Sequence, residues 1–364
     1  MIIISSVVRL VLIILSLLIY FFTALSCFGG LVPPAVTPIG SVLTIGMPVM
    51  LTISAVIIIL WFCFGHWIIG SVGIMTLILC LSPIKMWFPM NSPDKPTPGE
   101  TQFTVLTWNT LHGDDLEHPE TKHARMLEEI LRQDADIVCL QEVFGFSEKY
   151  LKHFDQNVMD SIYKKYPYHI GGGSYDAQVF SKYPLRSIYF GNINRYQLAE
   201  YFTVKFPERE IAMANIHLPS FALDETEKNI FSMSALRNDS VGRKKLGLRI
   251  LHKLEYAIPT RAEGAKKVNN ALSELAMPVV ICGDFNDVPA SWTYRMFLKN
   301  GFKDAYVATN FFPTYTFYPH LFYFHLDQVF YRGSIKPLSV KRLDIRTSDH
   351  LPLLATFEFL PDPY

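Results

Sequence analysis

The first 90 residues of the chain contain almost no ionic side chains, and this feature restricts the possible folds more than any other. Arg9 and Lys85 are the only Lys, Arg, Asp or Glu residues among them. An apolar helix of about 20 residues is long enough to cross the hydrocarbon core of a bilayer. The rest of the 364-residue chain has the charge density of a water-soluble domain. The sequence therefore predicts a membrane anchor over residues 1–90, followed by a soluble part.

Three apolar runs in the anchor are predicted to be transmembrane helices, at residues 6–28, 43–64 and 67–83. The first run could be a signal peptide, but its apolar region is too long and two further runs follow, so a retained anchor is favoured. The short joint Gly65-His66 indicates a tight hairpin between the second and third runs. A single bent, partly re-entrant segment is the alternative.

The orientation of the anchor follows from its number of spans and its basic residues. An odd number of spans places the soluble domain on the opposite side of the membrane from the N-terminus. Arg9 favours an N-terminus in the cytoplasm, because cytoplasmic flanks are enriched in basic residues. We therefore expect an integral membrane protein whose soluble domain, residues 101–364, is extracytoplasmic. Residues 91–100 carry three prolines among polar residues and are predicted to form a semi-rigid, exposed linker.

Buried strands of the soluble domain repeatedly end in polar side chains. Four apolar residues at 279–282 are followed by Gly283, which frees the backbone so that Asp284 and Asn286 emerge at the strand end. An ordinary strand-to-turn exit explains this stretch equally well. The repetition of the pattern along the chain favours a site. The polar strand ends are Asn109, Glu142, His217, Asp284 with Asn286, Asp327, and Asp349 with His350.

Other segments have clear periodicity but carry no candidate site residue. The predicted helices are 120–133, about 147–165, and 260–275, and residues 222–258 form a less patterned excursion that contains helix. The predicted strands are 103–108, 137–142, 178–180, 200–206, 210–217, 279–283, 327–331 and 353–359.

The polar strand ends have the chemistry of metal-assisted phosphoryl transfer. If the strands share one sheet edge, their ends converge on one pocket. Carboxylate and amide oxygens suit Mg²⁺, which keeps much of its hydration shell. Histidines transfer protons near neutral pH, and an Asp beside a His fixes its tautomer, so Asp327 is expected to serve His350.

Six motifs at these positions resemble those of the endonuclease/exonuclease/phosphatase superfamily (deoxyribonuclease I-like), in the family's order over about residues 100–360. They are Thr-Trp-Asn109, Leu-Gln-Glu142, Asn-Ile-His217-Leu-Pro, Gly-Asp284-Phe-Asn286-Asp-Val-Pro, Leu-Asp327-Gln-Val and Ser-Asp349-His350-Leu-Pro. The resemblance implies an α/β (α+β) four-layer sandwich in which two mixed β-sheets are flanked by helices. It also implies a metal site in which Glu142 is the main ligand, assisted by Asn109 and Asp349.

The resemblance further implies the roles of the remaining residues. Asp284 and His350 would activate the attacking water, and Asp327 would orient His350. Asn286 would contact the phosphate, and His217 would act as the acid for the leaving oxygen.

The favoured interpretation is a membrane-anchored, Mg²⁺-dependent (or Mn²⁺-dependent) phosphoesterase that hydrolyses a phosphodiester by metal-assisted water attack. Its substrate would be nucleic acid, as in an endonuclease or exonuclease, or a phospholipid, as in a lipid phosphodiesterase of the neutral sphingomyelinase type. The chain has 33 basic and 33 acidic residues, and such neutrality weighs against non-specific nucleic-acid binding. A catalytically silent, membrane-tethered interaction module is disfavoured by the complete set of polar strand ends. The sequence indicates no protein partner.

Two further groups of residues are predicted to be structural. Aromatic residues before Asp327 are expected to pack in the core and at the rim rather than to stack on bases. They are Tyr315, Phe317, Tyr318, Phe322, Tyr323 and Phe324. Histidines outside the motifs, His112 among them, are expected to face solvent or to have structural partners.

Overall fold

The architecture is taken from a computed structural model of the chain. It describes residues 6–118, 123–143, 156–171, 177–188, 199–223, 227, 240–319 and 323–361. Within these residues the helices are α1 (Ser6–Phe28), α2 (Ile39–Ile45), α3 (Met47–Cys63), α4 (Trp67–Leu79), α5 (Leu81–Trp87), α6 (His123–Gln133), α7 (Gln156–Lys165), α8 (Ser240–Ser273), α9 (Trp292–Lys299) and α10 (Ala305–Thr309). Short 3₁₀ turns cover Gly29–Leu31 and Leu111–Gly113.

The strands of the described residues form two sheets of mixed direction. In chain order they are β1 (Gln102–Asn109), β2 (Ile137–Gln141), β3 (Tyr168–Gly171), β4 (Ala177–Ser181), β5 (Leu185–Ser187), β6 (Ala199–Lys205), β7 (Glu210–His217), β8 (Val279–Asp284), β9 (Lys303–Asp304), β10 (Asp327–Arg332), β11 (Ile335–Arg342) and β12 (Leu353–Phe359). The first sheet has the order β11-β12-β1-β2-β4-β3, and the second has the order β5-β6-β7-β8-β10-β9.

The two sheets face each other across a shared apolar core. Phe103 and Val105 of the first sheet pack there against residues such as Val280 and Cys282 of the second. The outer face of the first sheet is covered by α6 and α7, and that of the second by α8 and α9. Central strands are therefore buried on both faces, which explains their continuous apolar runs. This four-layer sandwich confirms the fold class predicted from the sequence.

The central strands run so that their polar ends meet at one edge. β1 and β2 are parallel, and Asn109 pairs with Gln141, next to Glu142. β7 and β8 are also parallel, and His217 pairs with Asp284. β10 is antiparallel to β8, so that Asp327 at the start of β10 lies opposite Asp284. The pairing register therefore brings these ends together.

The N-terminal helices form a bundle in which α1, α3 and α4 contact one another. Buried polar side chains join them: Trp61 Nε1 donates to Ser16 Oγ at 2.9 Å, and the hydroxyls of Thr23 and Ser54 lie 2.7 Å apart. By length and composition, residues 6–31 can cross a membrane. The pair α2 and α3 is bent by 59° and the pair α4 and α5 by 66°, and counting each pair as one span gives up to three spans.

The bundle packs directly against the sandwich. Cys27, Met47 and Cys80, at one end of the bundle, form an apolar cluster with Val288 and Ala290 of the loop after β8. We call this the junction cluster. Beyond the bundle, residues 91–99 have no regular structure and are exposed.

One helix differs from its prediction. The helix predicted at 260–275 begins twenty residues earlier, at Ser240, and runs as α8 through Pro259 to Ser273. Proline removes one backbone hydrogen bond, but Ile258 and Ala262 on either side of it are both buried, so the apolar face continues across it. Part of the predicted excursion is therefore helix, and most of residues 222–239 lies outside the described residues.

Candidate active site

Asn109 connects the two sheets at the site. Its Nδ2 donates to Glu142 Oε1 at 3.1 Å, after a strand of the first sheet, and to Asp284 Oδ2 at 2.9 Å, at a strand end of the second. Its Oδ1 accepts from the backbone N–H of Leu111 at 3.1 Å, which fixes the orientation of the amide. The buried amide therefore holds the two carboxylates close together.

Glu142 has a left-handed backbone conformation with φ of 54°. Its side chain keeps 22% exposure. Two imidazoles approach its two oxygens: His217 Nε2 lies 3.5 Å from Oε1, and His112 Nε2 lies 3.6 Å from Oε2. Non-glycine residues in this conformation are uncommon and cluster at functional sites. Glu142 is therefore a carboxylate that solvent can reach, between two histidines.

Asp284 is buried where β8 ends, and the residues around it determine its direction. Gly283 has φ of 136°, and a Cβ there would lie 2.0 Å from the carbonyl oxygen of Ile216 on the neighbouring strand. Only glycine fits such a position. Asp284 Oδ1 accepts from the backbone N–H of Asn286 at 2.7 Å. Asn286 Nδ2 donates to the carbonyl oxygen of Leu218 at 2.9 Å.

His350 and Asp327 form a buried pair. His350 Nδ1 lies 2.7 Å from Asp327 Oδ2, and its Nε2 lies 3.6 Å from Asp284 Oδ2. The backbone N–H of His350 donates to Ser348 Oγ at 3.1 Å. Ser348 Oγ in turn donates to the carbonyl oxygen of Asn109 at 2.7 Å, which ties this turn to the end of β1. His350 is therefore held from both sides.

Burial and charge act in opposite directions on this pair. Burial lowers the pKa of His350, but the carboxylates of Asp327 and Asp284 outweigh it, and together with the hydrogen bond to Asp327 they raise its pKa to about 10. Burial raises the pKa of Asp327, and the nearby imidazole partly opposes this rise. The two carboxylates therefore favour the protonated form of the imidazole.

Asp349 lies at the margin of the group. Its Oδ1 is 3.4 Å from Ser348 Oγ, and among the contacts of the described residues none joins its carboxylate to Glu142. The other seven predicted residues form one continuous network of contacts. They are Asn109, Glu142, His217, Asp284, Asn286, Asp327 and His350.

The donor set fits a divalent ion. The carboxylates of Asp284 and Asp327 lie beside the His350 imidazole, and one possible ligand atom from each of the three residues lies within 4.8 Å of the others. With His350 protonated, the carboxylate oxygens are the available ligands. Glu142 and Asn109 add a carboxylate and an amide beside them. Oxygen-rich sets of this kind suit Mg²⁺ or Mn²⁺.

Sequence reasoning missed two contributions to the site. His112 was expected to be a solvent-facing or structural residue, yet its imidazole lies beside Glu142, within three successive residues, 111–113, whose φ angles are positive. Beneath the site, Gln141 Nε2 donates to Asn215 Oδ1 at 2.6 Å and joins the two sheets. Position was the only signal in the sequence: Gln141 lies within a motif, and His112 lies three residues after Asn109.

A two-sheet sandwich that gathers these groups at one edge defines a hydrolase of phosphate ester bonds. The chain belongs to the Endonuclease/Exonuclease/phosphatase family, which matches residues 106–350. Enzymes of this family hydrolyse phosphoesters and generally use divalent metals.

The comparisons also found individual similar proteins. Carbon catabolite repressor protein 4 homolog 1 of Arabidopsis thaliana is 24% identical over 221 aligned residues, and the match covers 52% of this chain and 36% of that protein. The chain thus spans about a third of the length of this curated relative.

Solved structures show similarity at low sequence identity. An endonuclease/exonuclease/phosphatase from Beutenbergia cavernae DSM 12333 has a TM-score of 0.49 and 16% identity, and the match covers 72% of each chain. Truncated Caenorhabditis elegans TDP2 has a TM-score of 0.44 and 18% identity over 71% of this chain and 98% of the other. The human Nocturnin catalytic domain has a TM-score of 0.44 and 19% identity over 71% and 94%.

Proposed function

We propose that the chain is a membrane-anchored, Mg²⁺-dependent phosphodiesterase that hydrolyses its substrate by water attack. The observation that carries the proposal is the Asn109 amide, which joins Glu142 to Asp284 beside the buried His350–Asp327 pair. In a family of phosphoester hydrolases, such a convergence of carboxylates, amide and imidazole supports catalysis rather than a silent interaction module.

Glu142 would hold the metal ion, because its carboxylate is partly exposed whereas Asp284 and Asp327 are buried. Mn²⁺ is the alternative ion. Asn109 and Asp349 would lie around the ion together with Glu142. Asn109 would bind the ion directly only if its amide oxygen gave up the hydrogen bond from the backbone N–H of Leu111. When bound, the ion would polarise a phosphoryl oxygen and neutralise developing charge.

Asp284 and His350 would act together on the attacking water. The Asp284 carboxylate would accept the proton of the water as the oxygen attacks phosphorus. His350, held at Nδ1 by Asp327, would donate from Nε2 to a phosphoryl oxygen. This division of roles follows from the raised pKa of His350, which favours the protonated imidazole at neutral pH.

His217 would protonate the leaving oxygen. Its Nε2 lies 3.9 Å from Asp284 Oδ2, the oxygen that His350 Nε2 approaches to 3.6 Å. Both imidazoles therefore lie near one carboxylate oxygen of Asp284. Asn286 would contact the phosphate through its amide, in exchange for its bond to Leu218.

A nucleic-acid phosphodiester is the first substrate that we propose, and a bilayer phospholipid is the second. The second is supported by the junction cluster, because Val288 lies only four residues after Asp284 and packs on the end of the bundle. Four residues span at most about 14 Å, so the site lies near the proposed membrane surface. Arg9 supports an extracytoplasmic site, as argued from the sequence.

The test uses the full-length chain in detergent, with Mg²⁺ or EDTA, against supercoiled plasmid and phospholipid vesicles. Changing Glu142→Gln removes one carboxylate charge at the proposed metal position. We expect metal-dependent hydrolysis to fall by about 100-fold or more. Glu129→Gln, which alters a carboxylate that pairs with Arg132 on α6, is the matched control and should hydrolyse normally. Undiminished hydrolysis by the Glu142→Gln variant would refute the proposed metal site.

A further inference from the structure

Two adjacent aromatic side chains project from the sandwich after α10. Phe311 is 59% exposed and Phe312 is 72% exposed, and their rings contact each other edge to face with centroids 5.1 Å apart. The backbone beneath them is fixed, because Tyr306 Oη donates to the carbonyl oxygen of Phe312 at 3.1 Å. Exposed aromatic pairs on a supported backbone are typical of surfaces that meet a membrane interface or a partner.

A groove between α10 and β11 lies beside this pair. Its lining includes the polar residues Tyr306, Asn310, Thr314, Tyr315, Lys341 and Arg342, together with apolar residues of the same segments. The Arg342 guanidinium stacks on the Tyr315 ring, 4.3 Å from its centroid. In the described part of the chain, neither Lys341 nor Arg342 forms an ion pair with a carboxylate. The groove therefore offers two cations and the hydroxyls of Thr314 and Tyr315, a donor set that suits a phosphate group. The Asn310 amide is already engaged, because its Nδ2 donates to Tyr306, Thr309 and Val340.

The groove and the aromatic pair adjoin the end of the helical bundle. α10 contacts α5, the last bundle helix, as well as β11. Asn91, four residues after the end of α5, donates its backbone N–H to the carbonyl oxygen of Asn310 at 2.9 Å and its Nδ2 to that of Val307 at 2.7 Å. Four residues span at most about 14 Å. Asn310 and the segment that follows it therefore lie close to the end of the proposed membrane anchor.

We propose that this groove binds the phosphate of an anionic phospholipid headgroup, with Phe311 and Phe312 inserted among the neighbouring lipids. The site is distinct from the candidate active site, and the proposal rests on the membrane anchoring proposed above but not on the hydrolytic chemistry. A lipid is favoured over free phosphate because the aromatic pair has no role in binding a small anion. The positive charges of Lys341 and Arg342 would attract the negatively charged phosphate of such a headgroup.

The experiment measures lipid binding by the full-length protein in non-ionic detergent, using native mass spectrometry. The protein is titrated with phosphatidylglycerol, phosphatidylcholine or inorganic phosphate. We expect phosphatidylglycerol to bind more tightly than phosphatidylcholine, and inorganic phosphate to bind weakly. The double change Lys341→Gln and Arg342→Gln should weaken phosphatidylglycerol binding by about 30-fold.

A second double change tests the contribution of the aromatic pair independently of the two cations. Phe311→Ser with Phe312→Ser should weaken phosphatidylglycerol binding by about 10-fold or more and leave phosphate binding unchanged. Lys164→Gln with Lys205→Gln, which removes two other exposed cations, is the control and should bind lipid normally. Equal binding of the two lipids, or normal binding by both groove variants, would overturn the proposal. Displacement of the lipid by a single-stranded oligonucleotide would reassign the groove to nucleic acid.

Hydrolysis of bis(p-nitrophenyl) phosphate by the same preparations keeps the two proposals apart. The groove variants should retain this metal-dependent activity. Lipid binding without any hydrolysis would refute the proposed function and support the groove, whereas hydrolysis without selective lipid binding would refute the groove alone. Solubility of the full-length chain without detergent would refute the anchoring on which the groove proposal rests.

Discussion

At the scale of single residues, the site depends on side chains that join separate segments of the chain. Asn109 holds Glu142 and Asp284, and its own carbonyl oxygen accepts from Ser348. Such a network is more sensitive to the loss of one member than a set of independent contacts, because each lost bond leaves another buried polar group without a partner. His350 is held in the same way, between Ser348 and Asp327.

Asp327→Asn tests whether the carboxylate orients and charges His350. The amide is almost the same size but carries no charge, so the pKa of His350 should fall from its raised value and the ring should lose its fixed orientation. We expect kcat on bis(p-nitrophenyl) phosphate to fall by about 10²- to 10⁴-fold, with an altered pH profile. The control is Asp344→Asn, an exposed carboxylate paired with Arg346. Wild-type kcat in the Asp327→Asn variant would contradict this role.

At the scale of elements, the loop between β8 and α9 connects the site to the bundle. Ser291 caps α9 by accepting from the backbone N–H of Tyr294 at 3.2 Å. Arg295 donates to the carbonyl oxygen of Ala290 at 2.8 Å and to that of Cys27 at 3.1 Å, so one guanidinium holds both the loop and the end of α1. We therefore expect the loop that follows Asp284 and Asn286 to depend on the bundle as well as on the sandwich.

Gly30→Val tests this dependence. A Cβ at Gly30 would lie 2.0 Å from the carbonyl oxygen of Ala290, so the loop or the end of the bundle must move. We expect a loss of about 1–3 kcal/mol in the free energy of unfolding and a lower kcat. Gly247→Ala is the control, because a Cβ there meets nothing within 4 Å and should stabilise α8 by up to about 1 kcal/mol. Unchanged thermal stability and kcat in Gly30→Val would show that the conformation of the loop between β8 and α9 does not depend on the bundle.

Asp304, which caps α10, should make stability depend on pH. Burial raises its pKa from 3.8 to about 6, although Tyr294 and two backbone N–H groups oppose the rise. Because the folded-state pKa is raised, this contribution to stability is complete below about pH 3.8 and is lost as the pH rises through about 6. The loss is on the order of 3 kcal/mol.

Asp304→Asn keeps the capping oxygen but cannot ionise. The stability of the wild type relative to this variant should therefore decrease between pH 4 and pH 7, as measured by thermal unfolding in detergent. A difference that stays constant across this range, or one that increases, would contradict the raised pKa.

At the scale of the whole molecule, the bundle and the sandwich are packed together rather than merely connected. Cys27, Met47 and Ala290 are completely buried in the junction cluster. The linker is also fastened at both ends, by Asn91 to the region of α10 and by Thr97 Oγ1 to Glu358 at 2.7 Å. The apolar area at the junction and the Arg295 hydrogen bonds should hold the two parts together without the covalent connection.

Cleavage of the linker tests this expectation. A protease site inserted between Asp94 and Lys95, in the exposed part of the linker, would allow the purified protein to be cut in detergent. We expect the two fragments to co-elute on size-exclusion chromatography and to retain kcat. The cut Gly30→Val variant should separate more readily. A fully active catalytic fragment that elutes alone would show that the bundle only tethers the domain.

The sequence by itself determined the apolar helices, the central strands and the polar residues at their ends, because these depend on local periodicity and on motifs read along the chain. It could not determine the edge strands. β11 carries Pro337 at a shift in its register, and it is a strand because it pairs with β12.

Tertiary structure alone decided how these parts meet. The buried face of α8 continues across Pro259, which overrides the local preference of proline to end a helix. His112 lies at the site because a left-handed turn after β1 directs it to Glu142. The loop between β8 and α9 packs on the N-terminal bundle because Val288 and Ala290 complete the junction cluster. These contacts join residues far apart in the chain, so the local sequence carries no signal for them.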